Sequence, residues 1–257
     1  MSGLIRAEII KLVHRKLYWV LSIVLLALVG LLVFVMLVLP KLVPQDVQGL
    51  TLPVASDVIK LGAQQILGQS WFPLILAVVA LGTDVSRTIW ASSLTRDARR
   101  WAHLIARLLV FWPAVLLTSL VLVLVWTVAA SILIGGPVGL GVAGWLALVW
   151  KAALIELAWV AIGLFAIAVF RSTGIAIGVA LAFSFIEGLL AFWSAYRPIS
   201  LSKASASLLG GFGAAESAPL TNLLGTEMSQ VHAVAVLVGW AAVMLVGAWA
   251  GLRYRDP

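Results

Sequence analysis

Six long apolar stretches, separated by short polar segments, fill most of this chain. A membrane-spanning helix needs about 20 mostly apolar residues. Five of the stretches meet that length, and the second is expected to recruit residues upstream of Ile66. The apolar runs are continuous rather than alternating, which favours helices over transmembrane strands. The stretches are approximately Leu17–Leu39, Ile66–Leu81, Leu104–Ile134, Trp145–Phe170, Thr173–Trp193 and Val231–Leu252. The pattern predicts an all-α membrane protein with six transmembrane helices.

The composition supports this class and excludes several others. Of the 257 residues, 63% are hydrophobic and 11% are charged, too few to cover the surface of a soluble domain. With no cysteine, the chain has no disulfide or thiolate metal site. His14, His103 and His232 lie in separate segments, so no metal site is expected. Nucleic-acid binding is not expected either, since no soluble domain presents a basic face.

The distribution of Lys and Arg predicts the orientation, because these residues are enriched on the cytoplasmic side. With the N-terminus inside, twelve of the 17 basic residues fall on inner segments, four fall on outer segments, and Lys151 lies within a span. Both termini are therefore expected to be cytoplasmic. The first apolar run is long and lacks a small-residue cleavage site, so we expect it to be retained as a span.

Two segments outside the spans have sequence patterns that predict further helices. Over residues 2–16, apolar positions alternate with Arg6, Lys11 and Arg15 at helical spacing, which favours an interfacial helix over a plain basic flank. The apolar positions of this stripe are Leu4, Ile5, Ile9, Leu12 and Val13. The outer segment 194–230 is too apolar for a solvated loop and too broken to span, which favours short re-entrant helices. We expect residues 1–257 to form one membrane domain.

Three ionisable residues lie within spans, namely Lys151, Glu156 and Glu187. Each should face protein or a water-filled cavity, which makes all three candidates for a translocation path. At 1.5 Å per residue, Lys151 and Glu187 reach similar depths on consecutive antiparallel helices. We therefore expect an ion pair between them, the alternative being that Lys151 extends its ammonium to the outer surface. Glu156 is protonated, hydrogen-bonded across a dimer, or lines a cavity.

Small residues four positions apart mark possible sites of close helix approach. Gly174 and Gly178 form one such pair, and Gly247 and Gly251 form another.

The densest charge cluster lies between spans two and three. Its segment is longer than a turn requires, and the semi-apolar residues 88–94 favour a short helix with a partner-binding side. The alternative is a basic loop that only sets topology. The cluster comprises Asp84, Arg87, Arg96, Asp97, Arg99, Arg100, His103 and Arg107.

Common catalytic motifs are missing from the sequence. It has no phosphate-binding Gly-x-x-x-x-Gly-Lys-Ser/Thr loop, no His-Glu-x-x-His and no Gly-x-Ser-x-Gly. We expect no catalytic residues, so any ATP hydrolysis must come from another subunit. Two alternatives stay open: an integral-membrane scaffold or assembly factor, and a membrane-embedded lipid-modifying enzyme using Glu156 or Glu187 as acid or base.

Local features in a fixed order resemble the six-helix permease subunits of ABC exporters, the ABC-2 type. They are Glu8-Ile9-Ile10-Lys11 with Arg15-Lys16, Leu94-Thr95-Arg96-Asp97-Ala98-Arg99-Arg100 leading to Ala106-Arg107-Leu108-Leu109, Phe170-Arg171-Ser172-Thr173-Gly174 with Glu187 in the same span, and the closing Arg253-Tyr254-Arg255-Asp256. The chain departs from the family at two points. Gly82-Thr83 comes early, and Arg107 stands where Lys is usual.

The resemblance implies that residues 84–100 contain a coupling helix that docks on a separate ABC ATP-binding subunit and is braced by the N-terminal helix. Its docking residues would be Arg87, Thr88, Arg96, Asp97, Arg99 and Arg100. Two permease subunits, identical or related, would pair with two ATPases that carry ATP and magnesium, and this chain would hold no cofactor. The implied setting is the plasma membrane of a bacterium. The apolar interior favours a lipophilic or amphipathic cargo such as a drug, lipid or peptide.

Overall fold

The computed structural model describes residues 2–39, 62–68, 71–86, 100–134, 141–210 and 228–254. Throughout these ranges the regular structure is helical and contains no strand. Five of the helices are long and apolar enough to cross a membrane. The chain is therefore a helical, multi-pass membrane protein, which confirms the predicted class. The sixth crossing and the side of each terminus stay predictions.

The helices follow the predicted order along the chain. They are α1 (Ser2–His14), α2 (Lys16–Val33, continued by a π-helical turn, Phe34–Val38), α3 (Trp71–Ser86), α4 (Arg100–Ile134), α5 (Val142–Phe170), α6 (Thr173–Leu190), α7 (Leu201–Gly210) and α8 (Gln230–Tyr254). A 3-10 turn, Arg197–Ile199, precedes α7.

Upstream of the second apolar stretch lies a separate helical piece, and whether it completes a second crossing stays a prediction. Residues 62–67 are helical and end at Gly68, whose N–H donates to the Gln64 carbonyl at 2.8 Å. The 16-residue α3 then begins at Trp71. At 1.5 Å per residue it measures about 24 Å, shorter than the roughly 30 Å hydrocarbon core. The upstream piece packs inside the bundle, since a side chain at Gly62 would collide with the indole of Trp126.

Helix α5 forms the centre of the bundle. It packs against α3, α4, α6 and α8. In its most apolar 18-residue segment 67% of the residues are buried, compared with 33% or less in the other four helices that could cross a membrane. Small residues allow this dense packing. A methyl group at Gly163 would lie 2.7 Å from Ala77 Cβ and 2.8 Å from the Leu74 carbonyl oxygen, so α3 and α5 touch almost backbone to backbone.

This close approach predicts a strong position dependence for glycine substitution. We expect Gly163→Ala to lower the thermal unfolding midpoint in detergent, because overpacking against backbone costs about 1–3 kcal/mol. Gly178→Ala is the matched control, since no atom of the described residues lies within 4 Å of its added methyl group. Equal midpoints for the two variants would contradict the α3–α5 contact.

The two small-residue pairs behave differently. A side chain at Gly247 would meet the Phe165 ring at 2.8 Å, and one at Gly251 would lie 3.3 Å from the Ala168 carbonyl oxygen. This pair therefore lets α8 approach α5, as predicted. Gly174 and Gly178 face open space in the described structure and bring no other helix close.

A two-residue link joins α5 to α6. The first residue, Arg171, has a φ of 53°, in the left-handed region, and its N–H donates to the Ile167 carbonyl at 3.0 Å. This left-handed residue ends α5 and reverses the chain in the shortest space.

Candidate functional site

Five of the six predicted docking residues lie in the part of the chain that the structure does not describe. Arg87, Thr88, Arg96, Asp97 and Arg99 lie outside the described residues, and Arg100 is the first residue of α4. Docking by segment 84–100 therefore stays a prediction. The described structure does show what the helices on either side of this segment are attached to.

The N-terminal helix is held on α4 by a buried ion pair. Glu8 is 3% exposed and Arg107 is 2% exposed. Arg107 Nε lies 3.6 Å from Glu8 Oε1, and Lys11 Nζ donates to the same oxygen at 3.0 Å. A carboxylate taken out of water needs such partners, because an unpaired buried charge is very costly. Glu8 and Arg107 therefore fix α1 against α4.

The buried face of α1 differs from the predicted stripe. Leu12 is buried and Ile5 is half-buried, but Ile9 and Val13 are exposed, and Glu8 occupies the buried position between Ile5 and Leu12. Positions 5, 8 and 12 share one helix face. The pattern predicted the helix, but it missed the acidic residue that turns this face toward α4.

The junction between α1 and α2 makes further ties. Arg15 Nη1 donates to the Val79 carbonyl of α3 at 2.7 Å, and its guanidinium lies 5.9 Å from the Phe111 ring centroid of α4. One helical turn later, the hydroxyls of Tyr18 and Thr118 share a hydrogen bond of 2.8 Å. The polar cluster of Glu8, Lys11, Arg15 and Arg107 thus connects α1 and α2 to both helices that flank segment 84–100.

Glu156 lies between α4 and α5. It is 2% exposed, and Ser119 Oγ donates to its Oε1 at 2.7 Å. In the same interface, Trp112 Nε1 donates to the Ala153 carbonyl at 2.8 Å. Of the three states that the sequence leaves open for Glu156, a position lining a cavity is not favoured, because the side chain is enclosed in the described structure.

The predicted ion pair between Lys151 and Glu187 is wrong for the described structure, whose salt bridges do not include it. Glu187 instead accepts hydrogen bonds from Ser200 Oγ at 2.8 Å, from the Ser202 N–H at 3.0 Å and from Ser202 Oγ. Lys151 is 5% exposed, with its ammonium 5.9 Å from the Trp150 ring centroid. The depth estimate could not fix which way each side chain faces around its helix.

The Glu187 carboxylate sits at the N-terminus of α7. Ser200 caps this helix, because its Oγ accepts the Lys203 N–H at 3.2 Å, while Glu187 takes the next free N–H, that of Ser202. Negative charge is favoured at this end of a helix, where N–H groups lack partners. Burial, together with the Glu187 carboxylate, raises the pKa of the neighbouring Tyr196.

Helix α8 holds the same segment from its other side. His232 Nε2 hydrogen bonds with the Pro198 carbonyl, and Trp240 Nε1 donates to the Ile199 carbonyl, both at 2.8 Å. Burial, and then Arg197, lower the pKa of Lys203 on α7. Residues 197–203 thus form a strap between α6 and α8. The short helix α7 lies within the predicted outer segment 194–230, although its position in a leaflet stays a prediction.

Among the residues that the structure describes, three buried carboxylates each join separate parts of the chain. Glu8 joins α1 to α4, Glu156 joins α5 to α4, and Glu187 joins α6 to the strap. In the described ranges, no group of three His, Asp or Glu residues could hold a metal ion. A comparison of the chain with protein-family models and with characterised proteins gives no match.

Proposed function

We propose that this chain is the permease subunit of an ATP-driven transporter of the ABC-2 type, and that it exports a lipophilic or amphipathic cargo. Its N-terminus, C-terminus and segment 84–100 would face the cytoplasm, and its six spans would cross the plasma membrane. The observation that carries the proposal is the buried attachment of α1 to α4 through Glu8 and Arg107.

This attachment suits a subunit that is moved by a partner. Segment 84–100 runs from the end of α3 to the start of α4. Arg107 lies seven residues after Arg100, about 10 Å along the helix. Arg15 binds the α3 backbone at Val79. A displacement of the segment would therefore move α1, α3 and α4 together rather than bend one loop.

In this proposal, ATP and magnesium act on a separate ATPase subunit. Binding of ATP would shift the equilibrium between inward-open and outward-open arrangements of a permease pair, to the extent that the ATPase binds one arrangement more tightly. The class of cargo is proposed from the apolar composition of the spans. The second permease of the pair would be either another copy of this chain or a related chain.

The test is to purify the tagged chain from its native membrane in mild detergent and identify what accompanies it. We expect a stoichiometric ATP-binding subunit that is lost when Arg96, Arg99 and Arg100 are all reversed to Glu. Lys41→Glu with Lys60→Glu is the matched control, because both lysines fall on the predicted outer side. A monodisperse wild-type protein that brings down no ATPase would refute the proposal and favour a scaffold or an enzyme.

A further inference from the structure

Glu156 is buried but has too few hydrogen bonds to stabilise a charged carboxylate. Its Oε1 accepts one hydrogen bond, from Ser119 Oγ. Its Oε2 is buried and has no hydrogen-bond partner, and no salt bridge of the described residues includes it. The neighbouring residues along α5, including Ile155, Ala158 and Trp159, are apolar and buried.

The other two buried carboxylates provide an internal comparison. Glu8 has two cationic neighbours, Lys11 and Arg107. Glu187 accepts two hydroxyl groups and a backbone N–H at a helix N-terminus. Both sites stabilise a negative charge. Glu156 has a single neutral donor, so a charge there would be left largely uncompensated.

Charged residues on α5 and on the helices packed against it do not compensate a negative charge on Glu156. Lys151 is five residues from Glu156, which places it about 140° around the helix. On the packed helices, Arg107 is paired with Glu8 and Glu187 is bound by the strap. Burying an isolated carboxylate costs far more than burying the neutral acid, which leaves at most one polar atom unsatisfied.

We propose that Glu156 is an intramembrane proton-binding site, which holds a proton at neutral pH and forms a neutral hydrogen-bonded pair with Ser119 between α4 and α5. The proton is retained because the site excludes water. A state of the protein that admits water between α4 and α5 would release it. This inference does not depend on the proposed transport function.

The test is infrared spectroscopy of the full chain at neutral pH, in a detergent that has no carbonyl group. A protonated carboxyl has a C=O stretching band that is separate from the carboxylate and amide bands. We expect this band in the wild type, corresponding to one group per chain, and its loss in Glu156→Gln. Ser119→Ala should keep the band but shift it to higher frequency, because the C=O group loses its hydrogen bond.

Glu187→Gln is the matched control and should leave the band unchanged. If Glu156→Gln does not fold, the shift caused by Ser119→Ala decides the question alone. A neutral-pH spectrum with no protonated-carboxyl band that responds to Glu156→Gln or Ser119→Ala would overturn the proposal. So would a loss of carboxylate absorption in Glu156→Gln, since the group would then be ionised.

Discussion

Reversing Arg107 to Glu is expected to abolish most of the folded, monodisperse protein, and adding Glu8→Arg in the same chain is expected to restore part of it. Both side chains are buried and lie 3.6 Å apart. Removing one member of a buried pair costs about 3–5 kcal/mol, because the other charge is left in a low-dielectric site. That loss is a large fraction of the stability of many domains, which is about 5–15 kcal/mol.

The measurement is the yield of monodisperse protein in detergent together with its thermal unfolding midpoint. The rescue should be incomplete, since an arginine at position 8 would face Lys11, which now contacts the Glu8 carboxylate. Lys11→Ala in the parent chain is the control. Its side chain is 43% exposed, so its ion pair should contribute less than about 1 kcal/mol. A double exchange no better than Arg107→Glu alone would show that the pair does not hold α1 on α4.

The sequence offered a signal for this pair that hydropathy alone does not use. Glu8 is the only acidic residue between Met1 and Gln45, and it lies on the same helix face as Ile5 and Leu12. An acidic residue on the apolar face of a basic helix needs a buried cationic partner. The position of Glu8 therefore indicates that such a partner exists, but only the packing of α1 on α4 identifies it as Arg107.

Helix positions were predictable because apolar runs must match the bilayer, whereas the facing of each side chain was not. Residue counts place Lys151 and Glu187 at similar depths, but depth says nothing about rotation around each helix axis. The partners of Glu187 are serines in a segment without a hydropathy signal. Likewise, Gly247 and Gly174 sit in similar small-residue patterns, yet only the former meets another helix.

Replacing Glu187 with Ala is expected to free the strap of residues 197–203 and lower stability by about 3–5 kcal/mol. The substitution leaves the buried Ser200 hydroxyl and the half-buried Ser202 N–H without their acceptor. Hydrogen bonds to charged groups contribute about 1.5–3 kcal/mol each, and the lost bonds are coupled rather than additive. The measurements are the thermal unfolding midpoint and the rate of limited proteolysis within residues 194–210.

Three further variants distinguish the contribution of the Glu187 carboxylate from those of its hydrogen-bond donors. Ser202→Ala removes one donor and should have a smaller effect, about 1–2 kcal/mol. The loss of stability in Glu187→Gln should fall between the losses in Ser202→Ala and Glu187→Ala, because the amide oxygen still accepts a hydrogen bond while its NH₂ group faces Ser202 Oγ.

The exchange of Lys151→Glu with Glu187→Lys should not rescue folding, since the two residues do not pair and a lysine at position 187 would face the N-terminus of α7. Rescue by this exchange would restore the predicted ion pair and would mean that the strap is not held by Glu187.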